Sequence, residues 1–221
     1  SPLSNDSGSM VFMKLQKTGA LKGTPFILSS RDPELAPKML WPGIGSDNWA
    51  TGLAVAKEFE GPGTCGIVVA NSQNAQKIWA VKLCLDAAAG SNPAVSLVNV
   101  IDSTSSALTG LNMNSTGIGS FISVIDRPST TKVVLALGVP RDGATTTSRE
   151  GRVVILELDL TTLAFQRKAV YPKVYASNDS IGKRLTSTEN FGSAIVPLRG
   201  VKGAKSIAVL SLTSGRRTVG R

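Results

Sequence analysis

Apolar residues along the chain cluster in short stretches that recur in a fixed order. Three stretches end in leucine, namely SMVFMKL (Ser9–Leu15), KIWAVKL (Lys77–Leu83) and RVVILEL (Arg152–Leu158). Each leads to a second kind of stretch, namely NWATGLAV (Asn48–Val55), GIGSFISV (Gly117–Val124) and NFGSAIV (Asn190–Val196). From the final leucines the chain runs 34, 35 and 33 residues to Trp49, Ile118 and Phe191. Such regular self-similarity indicates a repeat protein.

A third apolar stretch completes each repeat. Its copies are GIVVA (Gly66–Ala70), KVVLALGVP (Lys132–Pro140) and SIAVLSL (Ser206–Leu212). Short apolar stretches separated by Gly, Asn, Asp and Ser favour four short antiparallel strands in each unit of about 70 residues. Nearly continuous apolar stretches are typical of strands buried on both faces. The pattern predicts an all-β fold, a β-propeller-like array of four-stranded antiparallel blades.

The order of these stretches resembles the FG-GAP repeat of integrin alpha-subunit propellers and related surface proteins. The middle unit is the most similar: GIGSFISVID, KVVLALGVP and GRVVILELDL follow each other between Gly117 and Leu160, and ALGVP (Ala136–Pro140) stands where the family has Gly-Ala-Pro. In that family the Phe-Gly-Ser motif, here Phe191 to Ser193, marks the first strand of a blade. The resemblance implies a propeller fold, which hosts many different functions.

Dividing the chain by this repeat gives one FG-GAP-like segment over residues 1–221. We expect a half blade over 8–47, blades over 48–116 and 117–189, a half blade over 190–212, and a tail over 213–221. The sum of three blades is below the roughly four that close a ring. We therefore expect a segment of a larger propeller, whose remaining blades come from the same or another chain.

Charge changes this picture, because it is placed unevenly. The net charge is +9, and residues 151–221 carry twelve basic and four acidic side chains, which is +8. A one-sided basic region suggests an anionic partner, although a solvated basic surface is an equal alternative. The candidate polyanion-binding residues are Lys183, Arg184, Arg199, Lys202 and Lys205. Nucleic acid is the less expected partner, because the region lacks interleaved aromatic residues.

The residues give little support for catalysis or metal binding. Many FG-GAP blades carry an acidic Asp-x-Asp-Gly-Asp-Gly loop that binds Ca²⁺. The corresponding loops here are AKEFEGPGTC (Ala56–Cys65), IDRPSTTK (Ile125–Lys132) and PLRGVKGAK (Pro197–Lys205), which hold two acids, one and none. We expect no metal site and no cofactor. Histidine is absent, which excludes a Ser-His or Cys-His nucleophile pair, and the fifteen acidic residues show no suggestive clustering, so no catalytic residue is assigned.

Several features favour an extracellular protein. Cys65 and Cys84 flank a turn-rich segment between two apolar stretches, which predicts a disulfide across a hairpin, with two free thiols as the alternative. A symmetric turn misses direct opposition of the two cysteines by a two-residue offset. Asn5, Asn114 and Asn178 begin glycosylation sequons in expected loops. No apolar run reaches the roughly eighteen residues of a membrane span.

Together these observations lead to one expected function and two alternatives. We expect a secreted or cell-surface binding or structural module, used for adhesion or extracellular assembly through protein or glycan contacts made by loops. The alternatives are the propeller domain of an extracellular glycan-active enzyme, and a polyanion-binding protein that uses the basic last third.

Overall fold

The structure, a computed structural model, describes residues 9–13, 16–20, 25–29, 49–60, 63–72, 76–84, 94–111, 121–140, 142, 150–172, 190–199 and 205–211. Within these ranges the chain forms twelve strands and no helix. The strands are β1 (Ser9–Phe12), β2 (Phe26–Ser29), β3 (Trp49–Lys57), β4 (Cys65–Ser72), β5 (Lys77–Cys84), β6 (Ala94–Ile101), β7 (Ile122–Ser129), β8 (Lys132–Val139), β9 (Arg152–Asp159), β10 (Phe165–Tyr171), β11 (Phe191–Arg199) and β12 (Lys205–Ser211).

The strands form four antiparallel sheets in chain order. The first sheet is β1–β2, the second is β3–β4–β5–β6, the third is β7–β8–β9–β10 and the fourth is β11–β12. Each strand pairs with its neighbour in sequence, so every sheet is a simple meander. The prediction of an all-β chain with four-stranded antiparallel sheets is confirmed. Over the ranges given above, the sheets form an open stack that does not close on itself.

Successive sheets pack face to face around three apolar clusters. The largest lies between the second and third sheets and includes Ile67, Val69, Leu135 and Leu156. A second cluster joins Met10 of the first sheet to the second sheet. A third cluster joins Ile195 of the fourth sheet to the third sheet. Each of the two complete sheets therefore packs against a neighbouring sheet on both faces.

Strand β5 shows why these sequences are apolar almost throughout. Ile78 and Ala80 belong to the cluster shared with the third sheet, while Trp79 and Val81 belong to the cluster shared with the first sheet. All four are fully buried. A strand with solvent on one face would alternate apolar and polar residues, whereas this one buries both sets.

The Phe-Gly-Ser motif explains how the fourth sheet approaches the third. Gly192 has a φ of +91°, and a Cβ there would lie 2.6 Å from the Arg152 carbonyl oxygen. A Cβ on Gly138 would overlap the backbone of Gly192, so two backbones pass each other without side chains between them. Phe191 packs into the shared cluster, and the buried Ser193 Oγ donates a hydrogen bond of 2.6 Å to the Asn190 carbonyl.

The first strands β3, β7 and β11 take part in the backbone approaches between the second, third and fourth sheets. Strand β3 lies beside β7, and β11 lies beside β7 and β8. Hydrogen bonds tie the same strands together: Ser123 Oγ of β7 donates to the Ile195 carbonyl of β11 at 2.9 Å, and Arg127 Nη1 donates to the Ala56 carbonyl of β3 at 2.5 Å. The first strands β3, β7 and β11 are thus linked from sheet to sheet along one side of the stack.

Candidate functional site

Within the described residues, the β3–β4, β7–β8 and β9–β10 connections lie at one end of the stack, which we call the loop face. Strand β11 ends and β12 begins at the same end, at the register partners Arg199 and Lys205. Strand β11 begins beside β9, where the backbone of Phe191 donates to the Glu150 carbonyl, and then runs along β7. It therefore ends at the same end as β7. The β7–β8 and β9–β10 turns also touch directly, since Leu160 donates its backbone N–H to the Thr131 carbonyl at 2.7 Å.

An open cleft of about 430 Å³ lies on the loop face between the second and third sheets. It is lined by Lys57, Glu58, Glu60, Arg127, Ser129, Thr130 and Leu160. Two cations and two carboxylates balance each other, and two hydroxyl groups add donors and acceptors. Such a lining suits hydrogen bonding to a polar partner rather than attraction of one sign of charge.

Arg127 both lines the cleft and joins the two sheets beside it, and sequence reasoning missed this residue. Its hydrogen bond to the Ala56 carbonyl crosses from the third sheet to the second. The sequence signal is faint, since Arg127 is only one basic residue in the loop that resembles a degenerate calcium loop.

A disulfide closes the hairpin at the edge of the loop face. Cys65 and Cys84 lie directly opposite each other in β4 and β5, with their sulfurs 1.96 Å and their Cα atoms 4.0 Å apart. The two-residue offset expected from a symmetric turn is absent, because β4 and β5 pair in unbroken register from the cysteines to Ser72 and Lys77.

Two lysines near the loop face, Lys132 and Lys168, form ion pairs with Glu157. Lys132 Nζ lies 2.8 Å from Glu157 Oε1, and Lys168 Nζ lies 3.3 Å from Glu157 Oε2. The hydrogen bond from Lys132 is the main cause that holds the pKa of Glu157 below its ordinary value, and the same bond raises the pKa of Lys132. The stabilisation from the lowered Glu157 pKa is present above the ordinary pKa of the carboxyl and is lost as pH falls through the lowered value.

The predicted polyanion-binding residues fall mostly outside the described ranges. Lys183, Arg184 and Lys202 lie outside them, while Arg199 and Lys205 are register partners where β11 and β12 meet the loop face. Of the five candidates, the structure therefore brings together the backbones of Arg199 and Lys205. The sequon residues Asn5, Asn114 and Asn178 also lie outside the described part of the chain.

The loops that replace calcium loops contain few carboxylates. The β7–β8 connection consists of Thr130 and Thr131, and the Oδ1 atom of Asp126 accepts a hydrogen bond from the backbone of Arg127 at 2.7 Å. Over the ranges the structure covers, no group of three or more possible metal-ligating side chains is found.

We expect EDTA to leave the melting temperature unchanged. A structural ion stabilises by mass action, so its removal lowers the melting temperature of a protein that binds it. Differential scanning calorimetry with and without EDTA measures this directly. A drop of several degrees that added Ca²⁺ restores would show that these loops do hold the ion.

Comparisons with known proteins supply no relative. No family model matches the chain, and no curated protein and no solved structure is significantly similar to it. Among the residues with described structure, no helix has the length and apolar character needed to cross a membrane.

Proposed function

We propose that the chain is part of an FG-GAP-type β-propeller and acts as a secreted or cell-surface binding and structural module. It contacts a protein or glycan partner through the loop face. The observation that carries this proposal is the packing order: four antiparallel sheets stack in chain order, and each of the two complete sheets packs against a neighbouring sheet on both faces. Propeller blades pack in the same way.

The close approach of the first strands supports a radial arrangement. Strand β3 lies beside β7, and β7 lies beside β11, while the outermost strands β6 and β10 are largely exposed or half-buried. In a propeller the first strand of each blade is the innermost, so neighbouring first strands converge on the axis.

The cleft on the loop face supports a binding role. Its open shape, hydroxyl groups and balanced charges fit a polar surface such as a glycan or a protein loop. The Cys65–Cys84 disulfide supports an oxidising location, since such bonds persist outside the cytosol.

We expect replacement of cleft residues to weaken partner binding by about tenfold or more. The test variant is Glu60→Ala with Thr130→Ala, two exposed residues of the cleft. The matched control is Ser103→Ala with Ser106→Ala, exposed residues in the β6–β7 connection at the opposite end of the stack. Probes are an array of neutral and sulfated glycans and a panel of purified extracellular matrix proteins. Binding that survives in the test variant, or that both variants lose equally, would contradict the proposal.

Polyanion binding is a second candidate, favoured by the +8 charge of residues 151–221 and the facing Arg199 and Lys205. In that case sulfated glycans bind and neutral ones do not. Binding then weakens steeply with salt, and it depends on the five basic candidates rather than on the cleft.

A further inference from the structure

Most of the strongly exposed large apolar side chains lie on the two half sheets, or on the parts of the complete sheets that face a half sheet. They lie in or directly after β1, β2, β3, β10, β11 and β12, and they are Val11, Met13, Ile27, Leu53, Val55, Tyr171, Val196, Leu198 and Leu210. Each lies where one more half sheet would pack. Exposed apolar surface of this extent marks an interaction site.

The two half sheets are complementary parts of one four-stranded sheet. The leucine-ending repeat places β1 in the position of β5 and β9, so the first sheet supplies the outer two strands of a blade. The column of Trp49, Ile118 and Phe191 places β11 and β12 in the positions of β3 and β4, so the fourth sheet supplies the inner two.

The exposure of β3 follows from this division. In the third sheet, the corresponding face of β7 is covered by the inner strands of the second sheet, and Ile122 is buried there. Within the described residues the first sheet consists of β1 and β2 alone, and Leu53 and Val55 of β3 are 48% and 47% exposed. An added β11–β12 hairpin is the element that would cover them.

The free edges also match in register. In both complete sheets, the second strand pairs with the third, as Ala70 does with Trp79. By the repeat columns, Val209 of β12 takes the place of Ala70, and Val11 of β1 takes the place of Trp79. The adjacent pair is then Ala208 with Phe12.

The side-chain directions agree with that register. Val209 already packs toward the third sheet, while Ala208 is exposed on the opposite face. Val11 is exposed, while Phe12 packs toward the second sheet. In a paired sheet, opposite residues share a face, and this is satisfied at both positions.

We infer that two copies of this chain assemble by pairing β12 of each copy with β1 of the other. The first sheet of one copy and the fourth sheet of the other then form a composite four-stranded sheet, and two-fold symmetry creates two such sheets. Four complete sheets plus two composite sheets make six, within the roughly four to eight blades of closed propellers. This inference rests on the propeller proposed above.

One side-chain contact across the junction follows from the repeat. Ser123 of β7 contacts Ile195 of β11 between the third and fourth sheets. By the same columns, Val196 of one copy takes the position of Ser123, and Leu53 of the other takes the position of Ile195. These two apolar residues, exposed within a single chain, meet in the dimer.

Sedimentation equilibrium tests the assembly. The wild-type chain is expected at twice its mass of 23.0 kDa. Val196→Glu and Leu53→Lys should each give a monomer with unchanged circular dichroism, because each side chain is exposed in one copy. The two substitutions in the same chain place opposite charges together at both junctions and should restore the dimer. Leu97→Glu, at an exposed position of β6, is the control that stays dimeric.

Disulfide trapping tests the register. Ala208 and Phe12 take the positions of Val69 and Ala80, which lie on the same face as the bonded Cys65 and Cys84 and four residues further along each strand. Ala208→Cys with Phe12→Cys should therefore give a covalent dimer on a non-reducing gel. Ala208→Cys with Val11→Cys places the thiols on opposite faces and should stay uncrosslinked.

A monomeric wild-type chain at all concentrations, or equal crosslinking of the two cysteine pairs, would overturn the inference. The proposed function fails separately, because binding through the cleft is measured with variants on the loop face, away from both junctions.

Discussion

Gly138→Ala is expected to lower the free energy of unfolding by about 3 kcal/mol or more. A Cβ on Gly138 would overlap the carbonyl oxygen of Gly192 and lie 3.2 Å from its carbonyl carbon. The obstacle is backbone of β11 rather than the far end of a flexible side chain, so it cannot yield without moving the strand. We expect the fourth sheet to shift away from the third and the cluster around Ile195 to loosen.

Chemical denaturation of matched variants measures the effect. Gly110→Ala is the control, because Gly110 has a φ of +81° but no atom within 4 Å of its added Cβ. It carries only the backbone strain of about 1–2 kcal/mol. If Gly138→Ala costs no more than Gly110→Ala, the backbones of the third and fourth sheets are not in contact at this point.

Replacing both cysteines with serine is expected to lower stability by about 3 kcal/mol, the chain-entropy value for a loop of this length. Cys65 and Cys84 are nineteen residues apart, and they join the loop-face ends of β4 and β5. Thermal unfolding of the double variant should match that of reduced wild type, since both lack the same bond.

Peptide mapping without reductant gives an independent check on this bond. The expected result is one crosslinked peptide that contains Cys65 and Cys84. Finding both cysteines alkylated would remove the disulfide and, with it, the support for an extracellular location.

Strand order was predictable from the sequence because the sheets are local. Each strand pairs with its neighbour in the chain, so the spacing of apolar stretches determines which strands meet. The pairing of Cys65 with Cys84 was predictable for the same reason. The exact register was not, because it depends on the geometry of the turn between β4 and β5. The stretch KIWAVKL does not alternate between apolar and polar residues, because both faces of β5 are buried.

Contacts between sheets were not predictable in the same way. Gly192 and Gly138 each lie in a segment that resembles a family motif, Phe-Gly-Ser and ALGVP, but they are 54 residues apart and nothing in either segment indicates that their backbones meet. The Arg127 side chain of the third sheet donates to the Ala56 carbonyl of the second sheet. These contacts depend on how the sheets stack, which the spacing of apolar residues does not determine. The buried Asp142, whose Oδ2 lies 2.9 Å from Arg152 Nε, precedes that arginine by ten positions within the same sheet and has no sequence signature either.

The central claim is that the sheets radiate from a common axis, and pulsed electron paramagnetic resonance distances test it most directly. One spin-label pair joins Val55 of β3 to Val196 of β11, and the other joins Ile27 of β2 to Gln166 of β10. Each pair spans two sheet-to-sheet steps, and dilution with unlabelled protein restricts the measurement to one chain. A radial array predicts a clearly longer distance for the outer pair, β2 to β10, than for the inner pair, β3 to β11. Equal distances near 20 Å, about twice the usual spacing of packed sheets, would mean a flat stack and contradict the propeller.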